Sequence, residues 1–203
     1  MKKQTEALEL MFKTFNEEIF KGELSPTTIT IQSRGKINAM GWFTVNKVWL
    51  DSNGQEYHEI NISAENLNLG THEIASILLH TMIHYYAKLN NISDTSRNGR
   101  YHNRNFKDLA EKFGLDVKEA GTFGYSDTSL RVDTKVLVTR LDIDEDIFKI
   151  KRITAGKKKT KQSLRKYICP ECGLTVRATK DDIRILCIEC SEELYQERNE
   201  EDA

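Results

Sequence analysis

Two histidines stand four residues apart in Leu78-Leu79-His80-Thr81-Met82-Ile83-His84. On a helix that spacing puts both imidazoles on one face, where they can grip a single metal ion. In the His-Glu-x-x-His arrangement of zinc hydrolases, the residue after the first histidine is a glutamate that takes a proton from the metal-bound water. Thr81 occupies that position here. A threonine hydroxyl can hydrogen-bond a water but cannot accept its proton near neutral pH. The ligands are in place and the base is not.

A metal ion that keeps one position open needs a third protein ligand. The chain has five histidines, at 58, 72, 80, 84 and 102. Seventeen residues separate His84 from His102, enough for a helix end, a loop and the start of another helix. His72 lies two turns before His80, too far along the axis to share its ion. His58 falls in a strand pattern with no partner in the sequence. Glu73 sits about 10 Å up the helix axis from His80 and is a poor substitute base, and Tyr101 can polarise a carbonyl but cannot serve as one. Against simple packing of His80 and His84 stands their apolar surrounding of Ile74, Ile77, Leu78, Leu79, Met82 and Ile83, where unpaired imidazoles are costly.

A second cluster lies near the other end. Cys169-Pro170-Glu171-Cys172 and Cys187-Ile188-Glu189-Cys190 are the only cysteines, paired as Cys-x-x-Cys with fourteen residues between the pairs. That spacing suits a tetrahedral structural zinc in a zinc-ribbon, and in a reducing compartment it argues for ligands over disulfides. Leu174–Ala178 and Ile183–Leu186 read as the two strands of its hairpin. So small a unit has little core, so the metal supplies most of its folding free energy. Ahead of it, residues 151–166 hold Lys151, Arg152, Lys157, Lys158, Lys159, Lys161, Arg165 and Lys166 without one acid, and the chain after Cys190 is mostly acidic. The basic run is either a solvated linker or a phosphate-backbone contact. Arg177, Lys180 and Arg184 in the adjoining ribbon favour the contact.

The elements that must position these groups follow from periodicity. Leu8, Met11, Phe12, Phe15 and Ile19 mark an amphipathic helix over about 4–20. Residues 27–63 read as a β-meander with strands at 28–31, 41–44, 48–50 and 60–63 and a turn at Asn53-Gly54. A strongly apolar helix spans 71–89 and carries both histidines, and another spans 103–113, capped by Asn103 and stopped by Gly114. Val136–Val138 and Ile147–Ile153 read as strands. The fold class is α+β, and the layout is a domain over 1–150, a basic linker over 151–166, a zinc-ribbon over 167–192 and an acidic tail over 193–203. The N-terminus lacks a signal-peptide pattern and no stretch approaches 18 apolar residues, which points to a cytoplasmic protein with no membrane partner.

The stretch Leu78–Tyr86, with Asp94–Lys107 after it, Gly41-Trp42-Phe43 and Glu59–Ser63 before it and Gly124-Tyr125 beyond, resembles the SprT-like (Spartan-type) zinc metalloproteases over roughly residues 5–130. The resemblance implies a zincin-like domain with an N-terminal helix, a small antiparallel sheet and metal-bearing helices. It implies a zinc ion on His80, His84 and His102, beside the zinc on Cys169, Cys172, Cys187 and Cys190, and Thr81 in place of the catalytic glutamate. It also implies action at DNA, with DNA-bound proteins as substrates, which agrees with reading Lys157, Lys158, Lys159, Lys161, Arg165 and Lys166 in the basic run as backbone contacts without sequence preference. Three readings remain: a DNA-associated zinc protein with lost or weak peptidase activity, an active DNA-dependent protease with a non-standard base, and an interaction protein with two structural zinc sites.

Overall fold

The computed structural model describes residues 1–33, 39–150, 152 and 164–197, and the chain divides into two compact units, Met1–Thr154 and Ala155–Ala203. Among the described residues, no helix is long and apolar enough to cross a membrane.

The first unit is wrapped around one helix. After α1 (Lys2–Glu18) come β1 (Thr28–Gln32), β2 (Gly41–Phe43), the short hairpin β3 (Trp49–Leu50) with β4 (Glu56–Tyr57), and β5 (Glu59–Ser63). A 3₁₀ turn over Ala64–Leu69 then leads into α2 (Thr71–Leu89). This helix is apolar nearly all round: Ile74, Ala75, Leu78, Leu79, Met82, Ile83, Tyr85 and Ala87 are buried with α1, the sheet and later elements packed about it. Such a composition keeps a helix in the middle of a core.

The expected meander and antiparallel sheet are corrected. The strand order is β1-β5-β2, with β1 parallel to β5 (Thr28 opposite Glu59) and β2 antiparallel to it (Gly41 opposite Ile62). The reason lies in β5, which is buried at every position. Ile60 and Ile62 join the core, while Glu59, Asn61 and Ser63 find polar partners: the Trp49 indole N–H donates to Glu59 at 2.6 Å, Thr30 Oγ1 to Asn61 at 2.7 Å, and Ser63 Oγ to Glu65 at 2.8 Å. A strand buried on both faces belongs in the centre, and periodicity alone does not say which strand that is.

Helix α2 ends in a left-handed cap. Asn91 takes φ 55°, and the Ile92 N–H reaches back to the Ala87 carbonyl at 2.8 Å, which turns the chain under the helix. The hairpin of β6 (Thr95–Ser96) and β7 (Tyr101–His102) follows, then α3 (Arg104–Lys112), whose expected cap is present: Asn103 Oδ1 accepts from the Asn105 N–H at 2.9 Å and the Phe106 N–H at 3.3 Å. Next come the antiparallel pair β8 (Leu115–Lys118) and β9 (Asp127–Leu130), with a 3₁₀ turn at Gly121–Phe123 between them, and then α4 (Val132–Thr139).

Two further expectations fail here. Val136–Val138 lies in α4, because Thr134 and Val138 are buried at helical spacing with Leu137 against the core, overriding the strand preference of valine. Of the strand expected over 147–153, residues 151 and 153 lie outside the described residues, and its start falls in a 3₁₀ turn over 145–148, begun by Asp144 accepting from the Asp146 N–H at 2.9 Å and anchored by the fully buried Phe148.

The second unit is a three-stranded antiparallel sheet in the order β11 (Thr175–Ala178), β10 (Arg165–Ile168), β12 (Tyr195–Glu197). Residues 183–186 are therefore not the partner of β11. Ile183 and Ile185 pack instead toward Tyr167, whose hydroxyl accepts from the Ile183 N–H at 3.4 Å.

Candidate metal centres

Helix α2 presents His80 and His84 from successive turns, and β7 brings His102 against them. Their Nε2 atoms form a nearly equilateral triangle: His80 to His102 is 3.1 Å, His84 to His102 3.1 Å and His80 to His84 3.2 Å. Each ring is held from behind through Nδ1. His84 donates to Asp94 Oδ2 at 2.6 Å and His102 to the Phe123 carbonyl at 3.3 Å, while His80 Nδ1 meets Thr128 Oγ1 at 2.9 Å. With the proton on Nδ1, the Nε2 lone pairs converge on one point with no hydrogen to share, an arrangement that a cation stabilises. A tetrahedral ion with bonds of about 2.0–2.1 Å spaces its nitrogen ligands about 3.3 Å apart, so the donor set fits.

The surroundings favour the neutral form of His80 and His102. Burial drives His80 well below its ordinary value, and His84 and His102 add to this. Burial, then His84, pushes His102 down to about 4. The buried Phe106 forms the floor, its ring centroid 4.7 Å from His80, 4.8 Å from His84 and 4.7 Å from His102. All three histidines remain partly exposed, so the centre opens to solvent on one side. Among the described residues no carboxylate oxygen completes the group.

Thr81 stands apart from this group. It is 1% exposed, and its hydroxyl donates to the Ile77 carbonyl one turn back at 2.8 Å. Strand β2 lies directly upon it: a Cβ on Gly41 would come within 3.0 Å of Thr81 Oγ1 and 2.8 Å of Ile77 Cγ2. The carboxylate weighed from sequence as a substitute base, Glu73, is exposed in the first turn of α2 beside Gly70. His72 is likewise separate and meets Thr139 Oγ1 at 3.2 Å, while the buried His58 meets the Thr44 carbonyl through Nδ1 at 2.9 Å. Asp94, Thr128 and Phe106 escaped the sequence reading. An acid just past the helix that carries His84 was the available hint for Asp94. Thr128 lies 48 residues from the histidine it meets, and no local signal marks it.

A family model described as the SprT-like family matches residues 8–121, a span that includes all three histidines and Asp94. The chain belongs to the SprT-like family. No curated protein and no solved structure matches it.

In the second unit of this SprT-like chain, the sulfurs of Cys169, Cys172, Cys187 and Cys190 gather within 4.8 Å of one another. The Cys172 and Cys187 sulfurs lie 3.7 Å apart, against about 3.8 Å for thiolates around a tetrahedral ion with 2.3 Å bonds. The two knuckles repeat one backbone device. Gly173 N–H donates to the Cys169 carbonyl at 3.1 Å and Ser191 N–H to the Cys187 carbonyl at 2.8 Å, both residues having positive φ (72° and 58°). The Cys172 backbone N–H is the main cause that draws the Cys169 thiol down to about 7, while hydrogen bonding to Cys172 pushes Cys190 up to about 12. The set therefore readily yields its first thiolate and gives up its last only to a cation.

Of the expected nucleic-acid contacts, Lys157, Lys158, Lys159 and Lys161 lie outside the described residues. Arg165 pairs with Asp181 at 3.5 Å and Lys166 with Glu197 at 2.9 Å, exposed pairs that contribute little. Arg184 forks onto Glu193 at 2.8 and 3.1 Å, whereas Arg177 and Lys180 are exposed with no acidic partner among the described residues.

Proposed function

We propose that this SprT-like protein is a cytoplasmic zinc protein that associates with DNA and does not run the peptidase chemistry of its fold. The observation that carries this is the base position: a buried threonine whose hydroxyl is committed to its own helix, next in the chain to a three-histidine group that no carboxylate oxygen among the described residues joins. A positioned general base contributes about 10²–10⁴-fold to rate, and neither Glu73 nor Tyr101 replaces one. Zinc is the ion that suits a partly open three-imidazole site together with a closed four-thiolate site. The first site keeps a position for a water or a ligand oxygen, and the second holds the ribbon together. Association with DNA rests on the acid-free basic run at 151–166 next to Arg177 and Lys180. The layout behind this reading is a domain over 1–150, a basic linker and a ribbon, the ribbon's sheet reaching beyond the expected 167–192 to include Arg165 in β10 and Glu197 in β12.

Metal analysis of the purified chain should return two zinc ions, one removed by His84→Ala and the other by Cys169→Ser. A DNA-bound protein substrate should stay intact with the parent and be cleaved by Thr81→Glu, with cleavage abolished by chelation. Robust metal-dependent cleavage by the parent would overturn the reading and reveal another base. In parallel, changing Lys157, Lys158, Lys159 and Lys161 to Gln should flatten the salt dependence of DNA binding by about 0.7–0.9 for each phosphate no longer neutralised.

A further inference from the structure

His80 and His84 stand on α2, which the core fixes from nearly every side. His102 is placed differently. It ends the two-residue strand β7, and the groups that hold it come from the excursion between β8 and β9. That excursion closes on itself. The Phe123 N–H donates to the Ala120 carbonyl at 3.1 Å, the Gly124 N–H to the Gly121 carbonyl at 3.2 Å and the Ala120 N–H to the Gly124 carbonyl at 2.7 Å. Lys107 of α3 lies over the neighbouring Tyr125 ring, 5.3 Å from its centroid. The same hairpin also reaches His80, through Thr128 on β9.

The turn holds His102 by backbone and ring together. The Tyr125 N–H donates to the His102 carbonyl at 3.1 Å, and the His102 ring donates through Nδ1 to the Phe123 carbonyl at 3.3 Å. Gly124 lies between these two bonds and pairs with His102 as a parallel bridge. Its φ of 66° and ψ of −136° fall in a region that L side chains avoid. A Cβ there would collide with the His102 carbonyl oxygen and come within 2.9–3.0 Å of the Tyr101 ring. The ring can turn aside, but the carbonyl is backbone and moves only with the rest of His102. Relieving that collision costs more than the ~0.5 Å of misplacement that a binding constellation tolerates. It would break the Tyr125 bond and draw the imidazole out of the triangle whose edges are 3.1–3.2 Å.

We infer that Gly124 is a positioning residue for the third histidine, and that the turn over 120–124 is the clasp that closes the three-histidine group. The inference rests on reading that group as a metal site, and it adds an element that touches no ion. The competing account is that the glycine serves only the conformation of its own turn. That account applies equally to Gly121, which has φ 51° in the same turn and where a Cβ would meet nothing within 4 Å. The two glycines therefore separate strain within the turn from obstruction of His102.

The test compares Gly124→Ala with Gly121→Ala in the full chain. Zinc binding is titrated against a chromophoric chelator, and His84→Ala identifies the part that belongs to the three-histidine group. Gly124→Ala should weaken that part about 10–100-fold, whereas Gly121→Ala should bind as the parent does. Far-UV circular dichroism and the urea midpoint of the metal-free chain report whether each variant folds. Equal binding by a folded Gly124→Ala, or an equal loss in Gly121→Ala, would overturn the inference. If Gly124→Ala does not fold, hydrogen exchange in the parent decides. Zinc should slow exchange of the Tyr125 amide, because the ion and the bond to the His102 carbonyl favour the same closed turn. A Tyr125 rate that saturating zinc leaves unchanged would sink the clasp. A parent with no zinc binding sensitive to His84→Ala would overturn the reading of the site itself, and the inference with it.

Discussion

Asp94 braces the His84 ring from behind, and at 2.6 Å its carboxylate both fixes the tautomer and makes Nε2 a better donor to metal. Asp94→Asn keeps the shape and removes the charge, and should weaken metal binding at the three-histidine site about 10–100-fold while leaving the cysteine site untouched, as read by competition with a chromophoric chelator. Thr81→Val tests the opposite claim, that the hydroxyl serves only the helix. It should leave metal affinity unchanged and move stability by no more than about 1 kcal/mol, and a fall in metal affinity would place the hydroxyl in the site. Acid gives a third reading. In the metal-free protein, His80 and His102 bind protons less readily folded than unfolded, so the unfolded chain holds more protons below its ordinary value of 6.5. Stability should therefore fall as pH drops from about 6.5 toward 4, which urea titrations at stepped pH would show. These residues also mark how far the sequence could be read. His80 and His84 were legible as a candidate pair from their identity and spacing, and His102 as their third partner from the family resemblance; the three do come together. Thr128, Phe106 and the Phe123 carbonyl were not, because each reaches the site from an element whose position only the folded chain defines.

At the scale of elements, β2 packs closely on α2 at the residue that follows His80. Gly41→Ala adds a methyl group where Ile77 and Thr81 already stand, and should destabilise the first unit by about 1–3 kcal/mol, measured as a lower urea midpoint with unchanged slope. The helices were legible in the sequence: α2 through its continuous apolar surface, and α3 through its asparagine cap. The sheet was legible strand by strand but not in its order, since the pairing of β1 with β5 depends on what covers each face of β5. Helix α4 was misread because two valines flank a leucine in a segment whose packing against α2 decides its form. The cysteine knuckles were legible as one cluster, while the strand beside β11 proved to be the one before it.

Over the whole molecule, the two units differ in what holds them. The first buries a continuous core from Ala7 to Phe148, whereas the second buries Tyr167, Cys169, Cys187 and Leu194 and little else. Cys169→Ser, or a strong chelator, should erase the near-UV signal of the second unit and leave the helical signal of the first. Loss of both together would show that they fold as one. The parallel pairing of β1 with β5 also acts while the protein is being made. Thr28 meets Glu59, thirty-one positions later, so β1 leaves the ribosome well before its neighbour exists. At about 5–20 residues per second that interval lasts roughly 2–6 s, during which Ile29 and Ile31 have no strand beside them. The sheet cannot close until β5 emerges, and its inner face stays uncovered until α2 follows. The histidines therefore reach a folded setting only after synthesis has passed residue 102, so any ion that the group takes up would enter late in the life of the chain.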